Sequence, residues 1–105
     1  MKGMANNPLA MLGMATKAGK TVSGEFATQK AIKEGKAKLV IVAEDASDNT
    51  KKLFADKCTY YNVPIFVAGK MDELGRMTGH EKRASVAVTD KGFGDILTER
   101  LNSMK

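Results

Sequence analysis

The chain has 105 residues, enough for one domain with a real core and too few for two. Its 43% hydrophobic and 28% charged residues exclude disorder as the main state, and no apolar run approaches the roughly 18 residues of a membrane span. The net charge of +5 is uneven: residues 1–40 hold seven lysines against Glu25 and Glu34, and the other ten basic and ten acidic groups cancel. Such asymmetry suits a polyanionic partner, nucleic acid first, with solubility alone as the plainer explanation.

At the start, Met1-Lys2-Gly3-Met4-Ala5 carries one lysine and Asn6-Asn7-Pro8 interrupts any signal-peptide core, so a cytoplasmic protein is expected. Asn7 as cap and Pro8 at the first position predict a helix through Leu9, Leu12 and Ala15, ended by Gly19. A short strand around Thr21–Ser23 follows, then a helix from Gly24 to Gly35. Leu39-Val40-Ile41-Val42 is unbroken and apolar, which predicts a strand buried on both faces. After the polar cluster Glu44–Asn49, a third helix is expected from about Thr50 to Tyr61, with Leu53, Phe54, Cys58 and Tyr61 inward and Asn62 as its stop. Pro64–Val67 reads as a strand, Lys70–Thr78 as a helix closed by Gly79, and Ser85–Val88 as another strand. The last helix carries Phe93, Ile96, Leu97 and Leu101. This alternation predicts an α/β domain with helices on both faces of a parallel or mixed sheet.

Several patterns resemble chemistry without supporting it. Ala18-Gly19-Lys20-Thr21 ends like a phosphate-binding P-loop, but Met14 stands where the leading glycine belongs, and here a helix precedes and a strand follows. Cys58 falls on an apolar helix face and reads as a buried structural thiol; as a lone cysteine it excludes an internal disulfide. His80, the one histidine, has no nucleophile as partner and reads as exposed or ligand-contacting. Glu44, Asp45 and Asp48 precede a helix, where carboxylates favour the positive end of its dipole over a metal.

The second helix is more telling. At about 100° per residue, Phe26, Gln29, Lys30 and Lys33 share one face, and Ala27, Thr28, Ala31 and Ile32 the other. Lysines supply phosphate contacts, an exposed aromatic can stack on an unpaired base, and Gly24 lets a ligand approach the helix start. The alternative has Phe26 folding over Val22 at the core edge, and the lysines merely solvated.

Taken in order, Leu12-Gly13, Ala18-Gly19-Lys20, Val22-Ser23-Gly24-Glu25, Lys30-Ala31-Ile32 and Gly35–Val40 resemble one family, as do Ala43–Ser47, Cys58 with Tyr61–Pro64, and Glu73-Leu74-Gly75-Arg76 with Gly79. The pattern is similar to the kink-turn RNA-binding family of ribosomal proteins, which includes the archaeal "seven-Ae" and eukaryotic "thirty-e" large-subunit proteins, and within it to the bacterial YlxQ-type group. The resemblance, from about Pro8 to Leu101, implies a three-layer α/β/α sandwich around a four-stranded mixed sheet. It implies RNA binding without catalysis; no cofactor is expected, and the length makes residues 1–105 a single RNA-binding domain. It implies an RNA edge built from the start of the second helix, the turn after the buried strand and the loop before the last strand. The residues expected there are Gly24, Glu25, Phe26, Lys30, Lys33, Glu44, Asp45, His80, Lys82 and Arg83. Relatives that bind kink-turns tightly carry Gly-Thr-Asn-Glu, two residues, then Lys. Here the glycine and lysine remain as Gly24 and Lys30, and Phe26-Ala27 replaces the Asn-Glu pair that reads guanine edges. The expected partner is therefore a structured RNA, ribosomal or kink-turn-like, with ribosomal proteins as further candidates. The competing function is a protein-interaction module of the same fold, docking onto ribosomal or transcription proteins.

Overall fold

The structure, a computed structural model, describes residues 7–103; the signal-peptide reading of Met1–Asn6 and the charge of Lys2 lie outside them. The Asn7 Oδ1 accepts from the Leu9 amide at 3.0 Å and the Asn7 carbonyl from the Ala10 amide at 3.1 Å. Asn7 thus caps an opening turn through a buried Pro8, and helix α1 proper is Ala10–Lys17. Strand β1 (Thr21–Ser23) leads through Gly24 into α2 (Glu25–Lys33), and β2 is Leu39–Val42. Helix α3 (Asp48–Tyr61) starts two residues earlier than expected because Ser47, not a later residue, is its cap, accepting from the Thr50 amide at 3.1 Å. Asn62 ends it in the left-handed conformation, φ 59°. β3 (Ile65–Val67), α4 (Met71–Met77), β4 (Ser85–Val88) and α5 (Lys91–Ser103) complete the described chain.

The four strands form one mixed sheet in the order β1-β4-β2-β3. β4 runs antiparallel to β1 and β2, whereas β2 and β3 are parallel. Every residue of β2 and β4 is buried, as the lack of polar alternation in Leu39–Val42 requires. Helices α2 and α3 pack together on one face; α1 packs with α4 and α5 on the other. Phe54, Leu12, Ile32, Leu74 and Leu97 are fully buried between these layers.

Tyr61 corrects the expected inward set of α3: Phe54 and Cys58 are buried and Leu53 half-buried, but Tyr61 is exposed, because it is the helix's last residue and its ring meets that of Tyr60 at the surface. Ile96 of α5 is likewise exposed, while Leu97 and Leu101 carry the packing.

Burial pushes the Cys58 thiol up to about 11. The native thiol should resist a thiol-directed reagent near pH 8 and react promptly once denaturant opens the core; fast native reaction would contradict this packing. Because the folded value is raised, the associated stability is intact below the free-thiol value, near 9, and is lost as pH rises through about 11.

The register gives the sheet two distinct ends. Ser23 of β1, Val42 of β2 and Val67 of β3 finish beside the start of β4, with Ser23 opposite Val86 and Val42 opposite Ser85. Thr21 and Leu39 begin at the other end, both opposite Val88.

Candidate functional site

The three segments expected to form one edge do meet, at the first of these ends. The Gly24 amide donates to the Ser85 carbonyl at 2.9 Å, and the Ala43 amide to the Ala84 carbonyl at 2.9 Å. The loop before β4 is tied to the start of α4 by the Arg83 amide, which donates to the Met71 carbonyl at 3.0 Å. The β1–α2 junction, the turn after β2 and the 79–83 loop are thus fastened side by side by main-chain hydrogen bonds.

Gly24 holds φ 95° and ψ 159°, a conformation open to glycine and strained for any other residue. That geometry turns the chain sharply from β1 into α2. Arg83 lies against it: its Nε donates to the Ser23 Oγ at 3.1 Å and its Nη1 to the Lys82 carbonyl at 3.0 Å. A Cβ on residue 24 would come within 3.8 Å of the Arg83 Nε. A guanidinium carries five N–H donors, so this anchored side chain retains donors for a ligand at the helix start. Beneath it, the Ser85 hydroxyl donates to the buried Thr28 Oγ1 at 3.3 Å, joining α2 to the first residue of β4.

Phe26 settles an alternative left open by the sequence. It is 80% exposed and does not close the core over Val22. Together with Gln29, Lys30 and Lys33 it borders a shallow depression along the outer face of α2, as the helical spacing predicts. Ala27 is half-buried, and Thr28, Ala31 and Ile32 are buried. Glu25, Lys82 and His80 are exposed; the His80 amide donates to the Gly75 carbonyl at 2.7 Å.

Glu44 and Asp45 sit at the same end in another capacity than the one read from the sequence. The Asp45 carboxylate accepts from the Met71 amide at 2.8 Å, so it caps α4 rather than the helix that follows it in sequence. Glu44 pairs with Lys70 at 3.4 Å, an exposed contact of small energy. Among the described residues, no three His, Cys, Asp or Glu side chains are grouped as a metal site. The segment Ala18–Thr21 runs from helix into strand, the reverse of a P-loop.

The basic excess is distributed differently from the simplest expectation. Of the lysines in residues 1–40, Lys17, Lys20, Lys36 and Lys38 flank the opposite end of the sheet, where β1 and β2 begin. Lys30 and Lys33 stand six and nine residues along from Gly24, about 9 and 13 Å down the helix axis. Lys33 therefore belongs to the far end rather than to the loop cluster.

Gly75 was not singled out by sequence as a site residue, yet it shapes the loop. A Cβ there would lie 2.5 Å from the Glu81 carbonyl oxygen and 2.6 Å from the Lys82 nitrogen. Its absence lets the backbone of the 79–83 loop rest directly on α4. The sequence signal was a glycine inside a helix, which needs a packing reason.

Residues 9–98 match the model of the ribosomal protein L7Ae/L30e/S12e/Gadd45 family. The chain belongs to this family. It is 48% identical over 102 residues to the RNA-binding protein YlxQ of Bacillus subtilis, covering 97% of this chain and all of that one. It is 39% identical over 108 residues to the large ribosomal subunit protein eL30 of Yarrowia lipolytica, covering 96% and 94%. A solved structure of a protein of unknown function from Bacillus halodurans C superposes with a TM-score of 0.87 at 36% identity, over 91% of this chain and 97% of that one. The L7Ae-type fold expected from the resemblance is thus the fold observed. No helix among the described residues is long and apolar enough to cross a membrane.

Proposed function

We propose that this protein binds structured RNA, ribosomal or kink-turn-like, without catalysing a reaction on it, as a single cytoplasmic RNA-binding domain. The observation that carries the reading is the loop end itself: a glycine in a conformation other residues would find strained opens α2, and an anchored arginine from the 79–83 loop lies against that opening. Anionic groups favour a helix start, and arginine matches phosphate geometry. Family membership and the RNA-binding and ribosomal names of the relatives support the same reading.

In this reading Gly24 permits close approach, Arg83, Lys82 and Lys30 hold phosphates, and Phe26 faces a base. Glu25 and His80 border the same surface, while Asp45 and Glu44 hold α4 and its loop in place. Affinity for a kink-turn RNA should fall steeply with salt. Arg83→Ala and Lys30→Ala should each flatten the log–log slope by about 0.7–0.9, the change expected for one lost phosphate contact. Labelled-RNA anisotropy over a salt series measures this. Affinity that survives high salt, or unaltered slopes in both variants, would instead support a protein-docking module.

A further inference from the structure

We infer a second RNA contact at the far end of the α2–α3 face, where Tyr60, with Tyr61 set edge-on against it, stacks on an unpaired base and Lys33 and Lys57 hold its flanking phosphates. The inference rests on the RNA-binding reading above and extends it to a surface outside the three loops.

Tyr60 is 79% exposed, and its ring meets that of Tyr61 edge-on, with centroids 4.8 Å apart and planes at 76°. An exposed aromatic pair at a helix end contributes little to the fold and offers a stacking surface. The pair lines an open depression of about 650 Å³ together with Lys33, Leu53, Asp56 and Lys57. Lys33 also borders the depression that begins at Phe26, so the two meet at this residue along α2. From Phe26 to Lys33 the helix advances about 10 Å, a span of a few stacked nucleotides.

Charge selects the occupant. Two acidic residues line this track, and each has a lysine of its own: Glu34 pairs with Lys36 at 3.3 Å, and Asp56 with Lys52 at 3.1 Å. Lys30, Lys33 and Lys57 have no ion-pair partner among the described residues. A strip of uncompensated lysines ending in exposed aromatics matches how proteins hold single-stranded nucleic acid. Protein interfaces, by contrast, are depleted in lysine at their centre. The occupant is an unpaired segment of the same RNA that engages the loop end.

The chain has two tyrosines and no tryptophan, so its intrinsic emission reports on this pair alone. The test titrates the whole protein with a kink-turn RNA, blunt or extended by a short tail of unpaired uridines on either strand. Anisotropy of the labelled RNA and tyrosine emission are followed in parallel. The tailed RNA should quench the emission with the same midpoint as its anisotropy curve and bind about fivefold or more tightly than the blunt RNA. Tyr60→Ala should abolish that advantage and leave blunt-RNA affinity unchanged, while Tyr60→Phe should retain it. Lys33→Ala and Lys57→Ala should reduce the tail's salt dependence.

Equal binding of tailed and blunt RNA, with unchanged emission, overturns the second contact and leaves the RNA reading standing. No binding of any of these RNAs overturns the RNA reading and this inference with it. Concentration-dependent sedimentation of the free protein that Tyr60→Ala abolishes, with the tail advantage intact in that variant, would show a contact between copies and overturn the inference.

Discussion

Replacing Phe26 with Asn and Ala27 with Glu should tighten binding to a standard kink-turn RNA by roughly ten- to hundredfold, since two added base-edge contacts worth about 1–3 kcal/mol each outweigh the loss of one aromatic ring facing a base, worth about 1–3 kcal/mol. Phenylalanine and alanine have no side-chain acceptor for a guanine amino group, whereas asparagine and glutamate have. Phe26 is 80% exposed, so Phe26→Asn removes no packing, and Ala27 is half-buried at the rim of α2, where a glutamate can extend to water. The melting temperature should therefore change little. The gain should vanish on an RNA whose G·A pairs are replaced, because phosphate contacts alone carry no base preference. Strong discrimination between those two RNAs by the unaltered chain would show that other groups read the bases and that the Phe26-Ala27 pair is no deficit.

A larger effect on stability is expected at Gly75. Glycine to alanine inside a helix ordinarily gains up to about 1 kcal/mol. At Gly75 the added methyl would lie 2.5–2.6 Å from main-chain atoms of Glu81 and Lys82, which cannot rotate aside. Gly75→Ala should destabilise by about 1–3 kcal/mol. For a chain of this size that lowers the melting temperature by roughly 4–8 °C per kcal/mol. It should also weaken RNA binding, since the displaced backbone carries Lys82 and Arg83. Gly13→Ala supplies the comparison. Gly13 lies within α1, and its nearest neighbour would be the Met77 sulfur at an ordinary 3.7 Å. That substitution should stabilise slightly and leave RNA affinity unchanged. Equal effects at the two glycines would refute the close approach of the 79–83 loop to α4.

How much of this was legible in the sequence depended on whether the determinant was local. Leu39–Val42 announced itself because a strand buried on both faces needs no alternation. The outward face of α2 was legible because Phe26, Lys30 and Lys33 follow helical spacing, and the family resemblance gave the meeting of the three loops. Tyr61 was misplaced because periodicity assumes that every turn of a helix is covered, and the last turn of α3 is not. Asp45 was read as serving the helix beside it in sequence, but it caps one beginning 26 residues later, a partner that only the folded sheet brings near. The far-end position of Lys17, Lys20, Lys36 and Lys38 was hidden for the same reason: charge summed along the chain says nothing about which end of a strand each residue adjoins.

The placement of β4 between β1 and β2 also governs when the protein becomes itself during synthesis. Among the described strands, β1 has no neighbour in the sheet except β4, and the Arg83–Ser23 hydrogen bond spans 60 positions. A growing chain that has emerged only through β3 therefore carries its basic first portion with β1 unpaired and Gly24 lacking its anchor. Long-range pairing of this kind slows folding, because the loop must close before its contacts form. Chains shortened to end before Ser85 should remain unfolded rather than form a weaker version of the native state. Nor can such a fragment hold RNA with the complete loop end. Any RNA that engages that end does so after β4 inserts, and by mass action then holds the sheet closed.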